Sequence, residues 1–149
     1  MAVHFLWYEA WMSATTFQTR VIYGDTDQSG VVYHANFIRW FEAARCEFLR
    51  VRKGSYGAMT GHGVHFPVVE AFCKYHRPAR FEDVVEVEVT VSEMKRATIR
   101  FEYRVRIAGD PTPIAAGHTL HGCVGPGGRL MRIPDDVRAI VLAPPSGSI

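Results

Sequence analysis

Between residues 23 and 37 the chain reads Tyr-Gly-Asp-Thr-Asp-Gln-Ser-Gly-Val-Val-Tyr-His-Ala-Asn-Phe. Two carboxylates, Asp25 and Asp27, a flexible Gly30, and then His34 and Asn36 fall between a β-forming stretch and a helical one. A carboxylate can act as a nucleophile or take a proton from water. The end of the run feeds a helix N-terminus, where backbone N–H groups lack intrahelical partners and favour developing negative charge. An acid beside such donors is where an active site is expected.

Each residue in this run also has a plainer reading. Aspartate ahead of Gly30 is common turn chemistry, and Asp25 suits bonds to loop N–H groups. His34 could assist with its imidazole, or it could cap or pack the helix. Asn36 suits a helix N-cap. Gly30 supplies a backbone conformation that other residues resist, or close approach of a ligand.

The flanking elements follow from periodicity. Residues 17–23 are rich in β-formers, with Phe17, Thr19, Val21 and Tyr23 on one face, and read as a first strand. Over about 36–50 the period changes: Phe37, Trp40, Phe41, Ala44 and Phe48 form the broad stripe of an amphipathic helix. Gly54 and Gly57 mark its exit. Residues 65–75, 84–93, 98–107, 114–124 and 130–133 read as strands, the last two joined by Gly125-Pro126-Gly127-Gly128. A short helix is expected over 134–141 and a disordered tail over 144–149. One helix and a series of strands at hairpin spacing predict an α+β subunit, an antiparallel sheet wrapped on the helix. So aromatic a helix hints at an oligomer.

Composition removes several classes. The 149 residues make one ordinary domain with a real core, and 48% hydrophobic with 21% charged residues is globular. A formal charge of +2 gives no argument for nucleic acid. Cys46, Cys73 and Cys123 are odd in number without CxxC pairing, which suits small buried residues in a reducing, cytoplasmic setting. No apolar run approaches the roughly 18 residues of a membrane span. Residues 1–16 form an aromatic arm to which no function is assigned; Glu9 and the lack of a basic start argue against a signal peptide. His118 and His121 should face opposite sides of a strand, and His62 and His65 have no ligand partner at diagnostic spacing, so no metal is expected. Gly54-Ser55-Tyr56-Gly57 lacks nucleophile-elbow spacing, and no Rossmann or Walker loop occurs.

Three blocks together carry a family resemblance. They are residues 23–37 with Trp40-Phe41-Glu42-Ala43-Ala44-Arg45, then Tyr75-His76-Arg77-Pro78-Ala79-Arg80-Phe81-Glu82-Asp83, then Glu93-Met94-Lys95-Arg96-Ala97-Thr98. In this order, over about residues 17–134, the chain resembles the hotdog-fold acyl-CoA thioesterases. The likeness is to the 4-hydroxybenzoyl-CoA thioesterase branch, which includes a Tol-Pal-associated bacterial subfamily. The resemblance implies one hotdog domain over 17–143, with a sheet of five or six strands around one long central helix. It implies hydrolysis of acyl-CoA to free acid and coenzyme A with no cofactor, in a homodimer or homotetramer, with acyl-carrier protein as a second candidate carrier. By the same likeness Asp27 is the nucleophile or general base, and the backbone N–H at His34, more than its imidazole, polarises the thioester carbonyl. Gly30, Tyr33, Asn36 and, in second rank, Glu70 are candidate substrate contacts. Arg77, Lys95 and Arg96, with Arg80, are candidate partners of the coenzyme A phosphates. The competing functions are a hotdog hydratase or dehydratase and a non-catalytic acyl-CoA-binding protein.

Overall fold

The computed structural model describes residues 13–146 apart from 53, 55, 56, 58–60 and 62. Most of the expected arm, residues 1–12, and the tail beyond 146 lie outside the described residues, as does His62. The elements run β1 (Thr15–Arg20), α1 (Ala35–Arg50), β2 (Val68–Tyr75), β3 (Val84–Met94), β4 (Thr98–Ile107), β5 (Ala115–Gly122) and α2 (Asp135–Leu142). The five strands form one antiparallel sheet in the order β1-β3-β4-β5-β2.

Several expected boundaries move: β2 starts at Val68 rather than 65, and β5 spans Ala115–Gly122 rather than 114–124. The first strand begins at Thr15 and ends at Arg20, and Tyr23 falls in a 3-10 turn, Tyr23–Asp25. Residues 130–133 do not form a strand. Leu130 makes a lone bridge to Val124, while Met131 N–H and Ile133 N–H bond the Cys123 and Arg96 carbonyls. The segment is β-forming by composition but has no continuous ladder to join.

Alternation along the strands decides what α1 meets. Val85, Val87 and Val89 of β3 and Ile99, Phe101, Tyr103 and Val105 of β4 are buried, whereas the Arg and Glu residues between them lie on the outer face. Against the buried face α1 lays Phe37, Trp40, Phe41, Ala44, Phe48 and Leu49. The Phe41 ring stacks on Tyr103 with centroids 4.1 Å apart and planes 6° from parallel. Beneath it β5 carries Gly117, where a Cβ would meet the Phe41 ring at 2.9 Å and collide with the Phe72 carbonyl. The helix sits this close only because that position has no side chain.

Two buried polar groups tie the layers together. Arg52 lies beyond the end of α1, 5% exposed, and donates to the Ser13, Phe48 and Ala143 carbonyls and the Thr15 hydroxyl. Its guanidinium also stacks over the Phe48 ring at 3.5 Å, and burial lowers its pKa to about 10. Within the core, Arg45 donates to the Tyr103 hydroxyl, which meets Thr119 Oγ1 at 2.7 Å. Thr119 in turn meets His121 Nε2 at 2.9 Å, and His121 Nδ1 lies 3.0 Å from the Phe66 carbonyl. His121 faces the core and His118 the outer face, as strand geometry requires. Of the cysteines Cys123 is buried, Cys73 is half-buried and Cys46, against expectation, is exposed on the outer side of α1.

The β2 edge is unlike the rest of the sheet. Its inner side pairs with β5 and its outer side has no strand neighbour among the described residues, yet Val68, Val69, Phe72 and Tyr75 are 47%, 60%, 50% and 43% exposed. Among the described residues, no helix is long and apolar enough to cross a membrane.

The buried imidazole predicts an acid-sensitive stability. Burial lowers the His121 pKa from 6.5 to about 4, so between these values the unfolded chain binds the proton and the folded chain does not. Stability should be fully present above pH 6.5 and decline as pH falls toward 4. The loss is on the order of 3 kcal/mol by linkage. Urea titrations across this range should show the decline in the wild type and a flatter profile in His121→Gln. Equal slopes in the two proteins would refute the assignment.

Candidate active site

The loop between β1 and α1 is held mainly by Asp25. Its Oδ2 accepts the Ile22 N–H at 3.0 Å, and its carbonyl accepts both the Tyr33 N–H at 2.9 Å and the Asn36 Nδ2 at 2.8 Å. Asn36 is the second residue of α1 and is 8% exposed, so its amide is spent on this bond inside the fold. The N-cap expected at Asn36 falls instead on His34, whose side chain makes no capping bond.

Asp27 stands where the loop folds back on itself. Its N–H donates to the Val31 carbonyl at 2.9 Å and its carbonyl accepts the Gly30 N–H at 3.0 Å. Gly30 has φ +77°, a left-handed conformation that glycine adopts without strain. Asp27 Oδ1 accepts the Ser29 N–H at 2.8 Å, the turn bond that aspartate commonly makes. Oδ2 has no hydrogen-bond partner among the described residues. One carboxylate oxygen therefore shapes the turn and the other is left free.

At the start of α1 the Asn36 N–H bonds the Tyr33 carbonyl at 2.9 Å and the Phe37 N–H bonds the His34 carbonyl at 3.3 Å. The His34 and Ala35 N–H groups make no hydrogen bond among the described residues. A cavity of about 310 Å³ opens here, lined by Asp27, Val31, Val32, His34, Phe37, Tyr75, His76, Arg77 and Pro78. Its walls are mostly apolar, with the carboxylate and the helix start on one side. Tyr75, at the end of β2, donates its hydroxyl to the His34 carbonyl at 2.8 Å and sets its ring edge-on to Phe37. Burial, then the neighbouring Cys73 thiol, push its pKa up to about 12, so the hydroxyl keeps its proton.

The fold brings together Asp27, His34 and Arg77, with Gly30 at the loop tip and the Tyr33 ring tilted against that of His34, centroids 4.6 Å apart. Arg77 at the rim is already tied to Asp110 at 3.2 Å and to the Thr112 carbonyl. Asn36 does not line the cavity. Glu70 faces the outer side of β2 and pairs with His118 at 2.9 Å. Lys95, paired with Glu93 at 3.5 Å, and Arg96 sit in the turn between β3 and β4. The strand register puts that turn at the opposite end of the sheet from Tyr75. Sequence reasoning did not single out Tyr75, His76, Pro78, Val31, Val32 or Phe37 as cavity residues. The signal for Tyr75 and His76 was their place in the second of the three blocks that carry the family resemblance rather than any chemistry of their own.

A larger hollow, about 430 Å³, lies across Asp25 and is lined by residues including Arg20, Ile22, Arg39, Glu42 and Cys46. It contains neither Asp27 nor the helix start, so size does not identify the site. Among the described residues, no group of three or more His, Cys, Asp and Glu side chains is placed to hold a metal ion.

A model of the thioesterase-like superfamily matches residues 21–141. A putative esterase of Aquifex aeolicus is 34% identical over 125 residues, covering 84% of this chain and 95% of that protein. The acyl-CoA thioester hydrolase YbgC of Escherichia coli is 34% identical over 117 residues, covering 77% of this chain and 87% of its own length. A crystal structure of 4-hydroxybenzoyl-CoA thioesterase superposes with a TM-score of 0.79 over 87% of this chain and 99% of that one, at 20% identity, a likeness of fold.

The Asn36 bond predicts a stability effect separable from chemistry. Asn36→Asp keeps the shape but removes the donor and sets a carboxylate against the Asp25 carbonyl. The expected cost is about 1–3 kcal/mol. Urea unfolding would measure it, and an unchanged midpoint would show that the bond does not hold the loop.

Proposed function

The chain belongs to the thioesterase-like superfamily, and we propose that it hydrolyses an acyl-CoA thioester to a free acid and coenzyme A. The observation that carries this reading is that Asp27, whose Oδ2 has no partner among the described residues, lines one cavity with His34, where α1 starts and where the His34 and Ala35 N–H groups have no partner among the described residues. The name of the E. coli relative points the same way. An acyl-carrier protein thioester would present the same carbonyl group.

In this reading the acyl group lies along Val31, Val32, Phe37 and Pro78, and the thioester oxygen takes the helix-terminal N–H groups. Asp27 Oδ2 attacks the carbonyl carbon to give a mixed anhydride, or it deprotonates a water that attacks. Either way the carbonyl electrons move onto oxygen, where fixed N–H dipoles stabilise them, and then expel the coenzyme A thiolate; on the first route water then cleaves the anhydride, releasing the free acid and restoring the Asp27 carboxylate. Loss of one such donor costs roughly 10²–10³-fold in rate. The His34 imidazole packs between Tyr33 and Tyr75, and the main chain at His34 supplies the polarising group.

The exposed apolar edge of β2 supports a homodimer of hotdog subunits in which two copies of β2 pair about a two-fold axis. That axis reverses the partner's strands. The sheet is about 30 Å long by strand rise, and the reversal brings the turn carrying Lys95 and Arg96 of the partner subunit to the Asp27 end. Two cations there suit the phosphates of coenzyme A. Light scattering should give twice the monomer mass or a multiple of it; a monomer at working concentration would rule out this assembly.

Thiol release from a panel of acyl-CoAs tests the activity. Asp27→Asn should lower kcat at least 10³-fold with melting temperature and acyl-CoA affinity little changed. Near-normal turnover in that variant, or enoyl hydration without thiol release in the wild type, would overturn the proposal.

A further inference from the structure

The start of α1 lacks the usual device that holds a helix end. His34 occupies the N-cap, but its side chain accepts no N–H from the first turn, and the Phe37 N–H reaches its carbonyl only at 3.3 Å. A Ser, Thr, Asp or Asn there would bond a first-turn N–H and stiffen the turn.

The hold comes instead from another element. Tyr75, the last residue of β2, lies on the helix side of the sheet, directly opposite Ala115. Its hydroxyl donates to the His34 carbonyl at 2.8 Å, and its ring meets Phe37 edge-on at 5.1 Å. It therefore grips the first turn twice, by a hydrogen bond and by a ring contact, without touching either free N–H. We infer that Tyr75 is a positioning residue for the thioester carbonyl site, fixing residue 34 by its carbonyl so that the His34 and Ala35 N–H groups keep their directions. The bond also polarises the 34–35 peptide, which makes the Ala35 N–H a stronger donor. The inference rests on the proposed thioesterase reading for its kinetic consequence, but not for its structural one.

Tyr75→Phe keeps the ring, the Phe37 contact and the cavity wall, and removes only the hydroxyl. The expected loss in kcat is about tenfold, an order of magnitude below that for deleting a donor outright, with KM within about twofold. A merely structural tyrosine would leave kcat alone and shift melting instead; a simple wall residue would shift KM. The clamp itself is read without turnover, from the backbone amide resonances of His34 and Ala35, which should move in the variant. Unmoved amide signals overturn the inference whether or not the wild type releases thiol. Moved signals with unchanged kcat in an active enzyme overturn its catalytic part. A wild type that releases no thiol from any acyl-CoA defeats the thioesterase reading instead, and moved signals then still support the clamp.

Discussion

The ring of Phe41 lies flat on that of Tyr103 above Gly117, and this contact decides where α1 can sit on the sheet. A glycine in a strand interior costs entropy and offers no side chain to pack. Here it admits an aromatic helix at a distance that no other residue would allow. With the middle of α1 seated on β4 and β5, its N-terminus is carried to the end of β2. The free N–H groups are thus placed by packing far along the same helix. The buried Tyr103–Thr119–His121 chain adds direction to that packing, since its members bond only in one relative arrangement.

The two aspartates divide between support and exposure. Asp25 gives its side chain to Ile22 and its carbonyl to Tyr33 and Asn36, tying the incoming strand, the loop and the helix into one unit. Asp27 gives one oxygen to its own turn and keeps the other. The turn reading of Asp27 is met by one oxygen, and the other is the one the proposed attack would use. A carboxylate anchored at one oxygen points its second oxygen with less freedom than a solvated side chain, and such restraint is what effective attack needs.

The edge strand β2 connects three parts of the proposal. Its inner face closes the cavity with Tyr75, and its outer edge is apolar and has no strand partner among the described residues. Its reversal across a two-fold would return the distant turn of residues 95–96 to the site. A strand that both clamps the helix start and meets a partner would make assembly and catalysis depend on the same few residues.

Much of this was legible in the sequence. Strict alternation identified β3 and β4, the stripe from Phe37 to Phe48 identified α1, and the run from Asp25 to Asn36 identified the loop, because each depends only on near neighbours. The same rules misread residues 130–133, where β-forming side chains had no ladder to join. They also placed the N-cap at Asn36, since they could not show that its amide was needed by Asp25, eleven positions earlier. Residue type made Glu70, Lys95 and Arg96 candidates, but a period assigns a face and never a distance. The chain by itself determined the fold class, the loop of residues 23–34 and the helix start. Only the tertiary structure decided that Tyr75 reaches His34 and that Lys95 lies a sheet-length away, because contacts between distant segments follow strand order and register.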